Sequence, residues 1–156
     1  MTNWKIGDDI LDSRDVEERI DELEALETDY LEHKEAYDEI LEDRDEYELV
    51  EVERAMRHLQ EASEDFPAVE REELKKLRDF RSELEGYCDW TSGEVLIEES
   101  YRQTYAEQIA EEIGAIDKDA NWPLRHIDWE AATDELFRFD YTSADIEGFT
   151  YYARTC

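Results

Sequence analysis

Turn-forming residues are scarce in this chain, with five glycines and two prolines among 156 residues. No glycines cluster into a phosphate-cradling loop or a nucleophile elbow, and no Pro/Gly/Ser-rich linker divides the chain. Cysteine is nearly absent as well. Cys88 and Cys156 lie far apart in the sequence, which excludes a disulfide-dense scaffold and leaves ordinary reduced thiols as the expectation, with a disulfide as the alternative. The three histidines, His33, His58 and His126, have no spacing that pairs them with each other or with the cysteines as zinc ligands. Asp117-Lys118-Asp119 lacks the ligand series and the glycine of an EF-hand loop. No metal and no cofactor are therefore expected. No apolar run approaches the ~20 residues of a membrane span, and the start, Met1-Thr2-Asn3-Trp4-Lys5-Ile6-Gly7-Asp8-Asp9, lacks the apolar stretch of a signal peptide. A cytoplasmic protein is the reading.

Positive charge is the other shortage. Seventeen Lys and Arg stand against forty-seven Asp and Glu, a formal net charge of −30. Such an excess opposes compaction by self-repulsion and disfavours nucleic acid and anionic membranes as partners, which points to basic proteins instead. The excess runs through the whole chain: residues 1–86 carry thirty-one acids against twelve bases, and residues 87–156 carry sixteen against five. Hydrophobic residues still make up 40% and aromatics 12%, too apolar a composition for a disordered acidic tail.

The pattern predicts a mainly α fold with a small C-terminal β-hairpin. An elongated arrangement is expected, with an acidic helical hairpin or bundle over residues 1–86 and a compact, aromatic-rich α+β part over 87–156. Asp12-Ser13 is placed to cap a long amphipathic helix whose apolar positions Val16, Ile20, Leu23, Leu26, Tyr30, Tyr37, Ile40 and Leu41 recur at helical steps. A second helix begins near Glu46, and Phe66-Pro67 breaks it. Glu70 to Glu85 reads as a third, with Gly86 as its stop. Trp90-Thr91-Ser92-Gly93 reads as a turn, Glu98 to Ile113 as a helix ended by Gly114, and Trp122-Pro123-Leu124 as a loop. Asp128 caps a further helix from Trp129 to Leu136, and Phe139 to Arg154 reads as two strands joined at Glu147-Gly148. Tyr30, Tyr37, Tyr101, Tyr105, Trp122 and Trp129 are assigned to the core, with interface anchors as the alternative.

Eighteen acids lie between Asp12 and Glu48 against four Lys or Arg. A helix of that length would extend about 55 Å, or one acid per about 3 Å, close to the one phosphate per about 3.4 Å along a DNA strand. Opposite the apolar stripe, Glu18, Glu22, Asp29, Glu32, Glu39 and Asp43 form a negative ridge, with Glu107 and Glu111 as outward acids further along. A groove lined with Lys and Arg to hold DNA could accept such a ridge in place of its ligand. The blander readings are an amphipathic helix solvating one face and adaptation to high salt, the latter suggested by five Lys to twelve Arg. Catalysis is not expected. With so many carboxylates, pairs at catalytic separation arise by chance.

Tyr105-Ala106 with Ile113-Gly114, Ile127-Asp128-Trp129-Glu130-Ala131 with Glu135-Leu136, and Glu147-Gly148-Phe149 with Arg154 resemble the C-terminal part of ArdA-type antirestriction proteins. The resemblance covers about fifty residues, the last third of the chain. It implies a DNA mimic from a phage or mobile element, often a homodimer, that occupies the DNA groove of a host restriction-modification complex. The rival expectation is an acidic helical adaptor or chaperone that shields basic DNA-binding proteins without imitating duplex geometry.

Overall fold

A computed structural model of the chain describes residues 4–117, 119, 121–123 and 125–156. Met1, Thr2, Asn3, Lys118 and Leu124, named above, lie outside the described residues. The chain is mainly helical with a C-terminal β-hairpin. Among the described residues it forms, in chain order, β1 (Ile10–Asp12), α1 (Ser13–Glu42), α2 (Leu49–Asp65), α3 (Ala68–Leu84), α4 (Trp90–Gly93), β2 (Val95–Glu98), α5 (Arg102–Glu112), α6 (Trp129–Asp140), β3 (Tyr141–Ile146) and β4 (Phe149–Arg154). No helix among them is long and apolar enough to cross a membrane.

Two compact units emerge, Met1–Glu17 with Asp79–Cys156, and Glu18–Arg78. The sequence-level division at residue 86 thus falls inside the first of them. The reason is a non-local pairing: β1, near the start of the chain, hydrogen-bonds antiparallel to β2, with Leu11 opposite Leu96. The first unit is built on this sheet, whose strand order is β1-β2-β4-β3. β1 and β2 escape a periodicity reading because strands of three and four residues are too short to show alternation. Leu96, Ile97 and Glu98 are buried in succession, a run that fits a strand or a buried helix equally well. Glu98 accordingly ends β2. It accepts a hydrogen bond from the Ser100 amide at 2.8 Å to start a 3-10 turn over Glu99–Tyr101, and only then does α5 begin.

The hairpin forms as its residues dictate. β3 and β4 pair from Tyr141 with Arg154 to Ile146 with Phe149. Glu147 and Gly148 both take positive φ, 52° and 87°, as a two-residue turn matched to strand twist requires. Alternate residues Ala144, Ile146, Tyr151 and Ala153 face inward. Phe80 packs edge-on against both Tyr151 and Trp90, with centroids 5.9 and 6.2 Å apart. The fully buried Tyr151 also works through its hydroxyl, which accepts from the Gly7 amide at 2.8 Å and donates to the Asp8 carbonyl at 3.0 Å.

In the second unit, Ile20, Leu23, Ala62, Phe66, Leu74 and Leu77 are buried. α1 stops at Glu42, short of the Glu48 end used for the sequence estimate, and a 3-10 turn over Arg44–Glu46 follows. α2 starts at Leu49 under a capping box between Glu48 and Glu51, so glutamates do here what Ser or Thr usually does. Phe66 closes α2 and packs 6.3 Å from Tyr30, while the Arg71 guanidinium lies 4.4 Å over the Tyr30 ring.

Local expectations fail where tertiary partners decide. Trp90-Thr91-Ser92-Gly93 forms the single helical turn α4. Of the Asp12-Ser13 pair placed to cap α1, Asp12 does so, accepting from the Arg14 amide at 2.9 Å, whereas Ser13 is buried and spends its hydroxyl on the Trp90 carbonyl and the Glu94 amide, at 2.6 and 2.7 Å. α3 ends without a left-handed glycine, since the Leu84 carbonyl accepts from both Tyr87 and Cys88. Of the six aromatics assigned to the core, Trp122 is 75% exposed and the others are half-buried. The buried aromatics are Phe66, Phe80, Trp90, Phe137 and Tyr151. Replacing Tyr151 by Phe keeps the packing but leaves the Gly7 amide and Asp8 carbonyl without this partner, so urea unfolding followed by circular dichroism is expected to show a loss of about 1–3 kcal/mol.

Candidate functional site

The thirty residues of α1 sort their acids by direction. Apolar residues at three- and four-residue steps fix one face inward, with Val16, Ile20 and Leu23 fully buried. Acids flanking that face are matched to arginines of α3, and Arg19 of α1 to an acid of α3. In the first unit, Glu17 binds Arg81 at 2.9 Å and accepts the Trp90 indole N–H at 2.8 Å. In the second, Arg78 reaches Glu27 at 2.6 Å and Glu24 at 2.9 Å, and Arg19 forms a two-bond fork with Glu73, both bonds 2.9 Å. The hydrogen bonds that Arg78 donates to Glu27 and then to Glu24 hold its guanidinium above its ordinary pKa, and the bond to Glu73 does the same for Arg19.

The opposite face is left open. Glu18, Glu22, Asp29, Glu32 and Glu39 are all exposed along α1, and exposed Asp43 follows the helix end. Asp43 therefore stands one residue outside the ridge as a regular helix would extend it, with φ −108° and ψ 33°. Glu22 touches Arg19 at 3.2 Å, and Asp29 lies 3.6 Å from His33. Among the described residues, Glu18, Glu32, Glu39 and Asp43 make no side-chain hydrogen bond or ion pair. Ala25 and Ala36, also exposed, interrupt the row. Glu18 to Glu39 spans about 31 Å. Apart from the Glu22–Arg19 and Asp29–His33 contacts, this row is accordingly left uncompensated among the described residues.

Glu107 and Glu111, expected as outward acids, face solvent only in part. They lie on α5 in the first unit, and Glu107 accepts from the Gln103 side chain at 3.0 Å. The open positions of that helix are Gln103, Thr104, Gln108 and Glu112. The apolar stripe misleads here because Ala106 is the residue α5 buries, whereas Ile113 is 73% exposed.

Two features had no signal in the sequence spacing. His33 of α1 and His58 of α2, which have no zinc-ligand spacing in the sequence, have ring centroids 5.5 Å apart in a groove of about 320 Å³ lined also by Asp29, Glu61 and Asp65. Among the described residues, no three His, Cys, Asp or Glu side chains are grouped to hold a metal ion. In the first unit, Arg102 is stacked between Phe137 and Tyr152 at 4.9 and 4.8 Å and tied to Asp134 at 3.0 Å. Arginine's planar, weakly hydrated head suits this half-covered position.

The chain matches no protein-family model, no curated protein and no solved structure.

Replacing Arg78 by Ala leaves Glu24 and Glu27 facing one another without a cation. Urea titrations are expected to show a loss of about 1 kcal/mol at low ionic strength, shrinking toward zero as the Debye length falls to about 3 Å near 1 M salt.

Proposed function

We propose that this protein is a DNA-mimic inhibitor from a phage or mobile element, acting on a host defence nuclease complex of the restriction-modification kind. The observation that carries the reading is the one-sided use of arginine on α1: inward acids are paired, and the outward row from Glu18 to Asp43 is left exposed. In this reading no bond is made or broken. Glu18, Glu22, Asp29, Glu32, Glu39 and Asp43 stand in for phosphates, and a basic groove binds them while releasing its own counterions.

The spacing supports it. Steps of four, seven, three and seven residues from Glu18 to Glu39 correspond to rises of about 6, 10.5, 4.5 and 10.5 Å. Phosphate steps of two, three, one and three along a strand rise about 6.8, 10.2, 3.4 and 10.2 Å. A straight helix copies axial rise and not winding, so the ridge matches the axial charge spacing of a strand and not its path around the duplex. The resemblance of the last third to ArdA-type proteins points to the same class of target and adds a homodimer to the proposal. Glu107 and Glu111, half-covered on α5, contribute to the general field and not to the row.

Exposed acids also cover α2, including Glu51, Glu53, Glu61 and Glu64. Their breadth favours the second reading, an acidic adaptor that shields many basic DNA-binding proteins. Selectivity separates the two. The inhibitor is expected to displace duplex DNA from a purified type I restriction complex, more weakly as salt rises, while leaving unrelated basic proteins unbound. Charge reversal of Glu22, Asp29, Glu32 and Glu39 to Lys together should weaken displacement at least about a hundredfold, which is about 0.7 kcal/mol per site and ordinary for such contacts. The helical circular dichroism should stay unchanged. Undiminished displacement by a folded variant would remove α1 from the interface, and equal binding to histone-like proteins would establish the adaptor.

A further inference from the structure

Cys88 and Cys156 are sixty-eight positions apart in the sequence, yet the backbone brings them together. Cys156 donates its amide hydrogen to the carbonyl of Tyr87, the residue immediately before Cys88, at 3.0 Å. Bond lengths on either side of that hydrogen bond hold the two cysteine Cα atoms within about 7 Å. Disulfides join Cα atoms about 4.4–6.8 Å apart. Both segments are also fixed independently. Thr155 donates to the Asp140 carbonyl at 2.8 Å, and the Cys88 amide donates to Leu84 at the end of α3, at 3.2 Å. Both cysteines belong to the sheet-bearing unit.

We propose that Cys88 and Cys156 are a modification site that closes into a reversible intramolecular disulfide on exposure to a small-molecule disulfide, tying the end of β4 to the turn after α3. The two thiols have unequal roles. Cys156 is exposed and Cys88 is buried; burial, then the charges of Glu94 and Cys156, push the Cys88 thiol up to about 11. Cys156 is therefore the thiol that meets the oxidant, since attack requires both access and thiolate. Its sulfur attacks one sulfur of oxidised glutathione, the S–S bond breaks, and one glutathione thiolate leaves. Cys88 then gives up its proton to solvent and attacks the Cys156 sulfur of the mixed disulfide, expelling the second glutathione. Two protein thiols lose two electrons and two protons, and one glutathione disulfide becomes two thiols. The crosslink closes a long loop in the unfolded chain and so stabilises the folded one.

The test uses the full-length chain, folded, incubated with oxidised glutathione and then quenched with N-ethylmaleimide. The expected product is a chain not disulfide-linked to another, which has lost two hydrogen atoms, carries neither glutathione nor maleimide, and yields one crosslinked peptide pair containing Cys88 and Cys156. Its thermal midpoint should rise by roughly 5 °C or more, and dithiothreitol should reverse the rise. Cys88→Ser should stop at a single glutathione adduct on Cys156, which checks the order of attack, and Cys156→Ser should remain unmodified at Cys88. If the folded wild-type protein accumulates only glutathionylated Cys156 or a Cys156-linked dimer, the proposal fails. It fails equally if the crosslink forms no faster in the folded chain than in urea.

Discussion

The constraint on this molecule is its own repulsion. A chain with a net charge of −30 can fold only if apolar burial outweighs the Coulomb energy of bringing like charges together. The few cations must then be placed where repulsion would be worst. Arg19, Arg78 and Arg81 meet that need, each bound to one or two carboxylates next to a buried apolar stripe. The dielectric falls toward that stripe, so an unpaired acid costs more there than in open water. Arg71 and Arg102 lie instead over aromatic rings, where a guanidinium covers apolar surface without giving up all its hydration. Lysine, a strongly hydrated point charge, could do neither as well, which gives the predominance of arginine over lysine a structural meaning.

What was legible in the sequence was whatever the chain decides locally. The start of α1, the break at Phe66-Pro67, the Asp128 cap, whose side chain accepts from Ala131 at 3.0 Å, and the Glu147-Gly148 turn all rest on residues a few positions apart. The exposed positions of the ridge were legible for the same reason: a helical period and one clear apolar stripe fix which way every other side chain faces. Hidden features are those set by partners far away in the chain. β1 and β2 lie more than eighty positions apart and meet only in the fold. His33 meets His58 because α2 returns alongside α1, and Cys88 meets Cys156 because β4 ends beside the turn after α3.

The candidate site divides along the same line. Glu18 to Glu39 follow from the geometry of one helix, whereas Glu107 and Glu111 depended on how α5 is rotated against its neighbours. Tyr101, Tyr105, Ile109 and Ile113 suggested one inward direction, but packing in the first unit buried Ala106 and left Ile113 in solvent. An apolar stripe predicts burial only when something of matching length lies along all of it.

The number of acids and their placement carry different information. Tolerance of high salt would account for the count, because a hydrated carboxylate surface serves that purpose wherever it lies. It does not account for a helix whose only two bases between Glu18 and Asp43 are Arg19 and Lys34, both engaged with acids, Arg19 chiefly across to Glu73 and Lys34 with Asp38 at 2.6 Å. Of the six ridge acids, Arg19 reaches Glu22 alone. A row left uncompensated on a helix whose opposite side is carefully neutralised costs folding energy. In the proposed reading that cost is recovered when the charge is completed by another molecule, and a surface built to hold phosphates would complete an axial row of single negative charges.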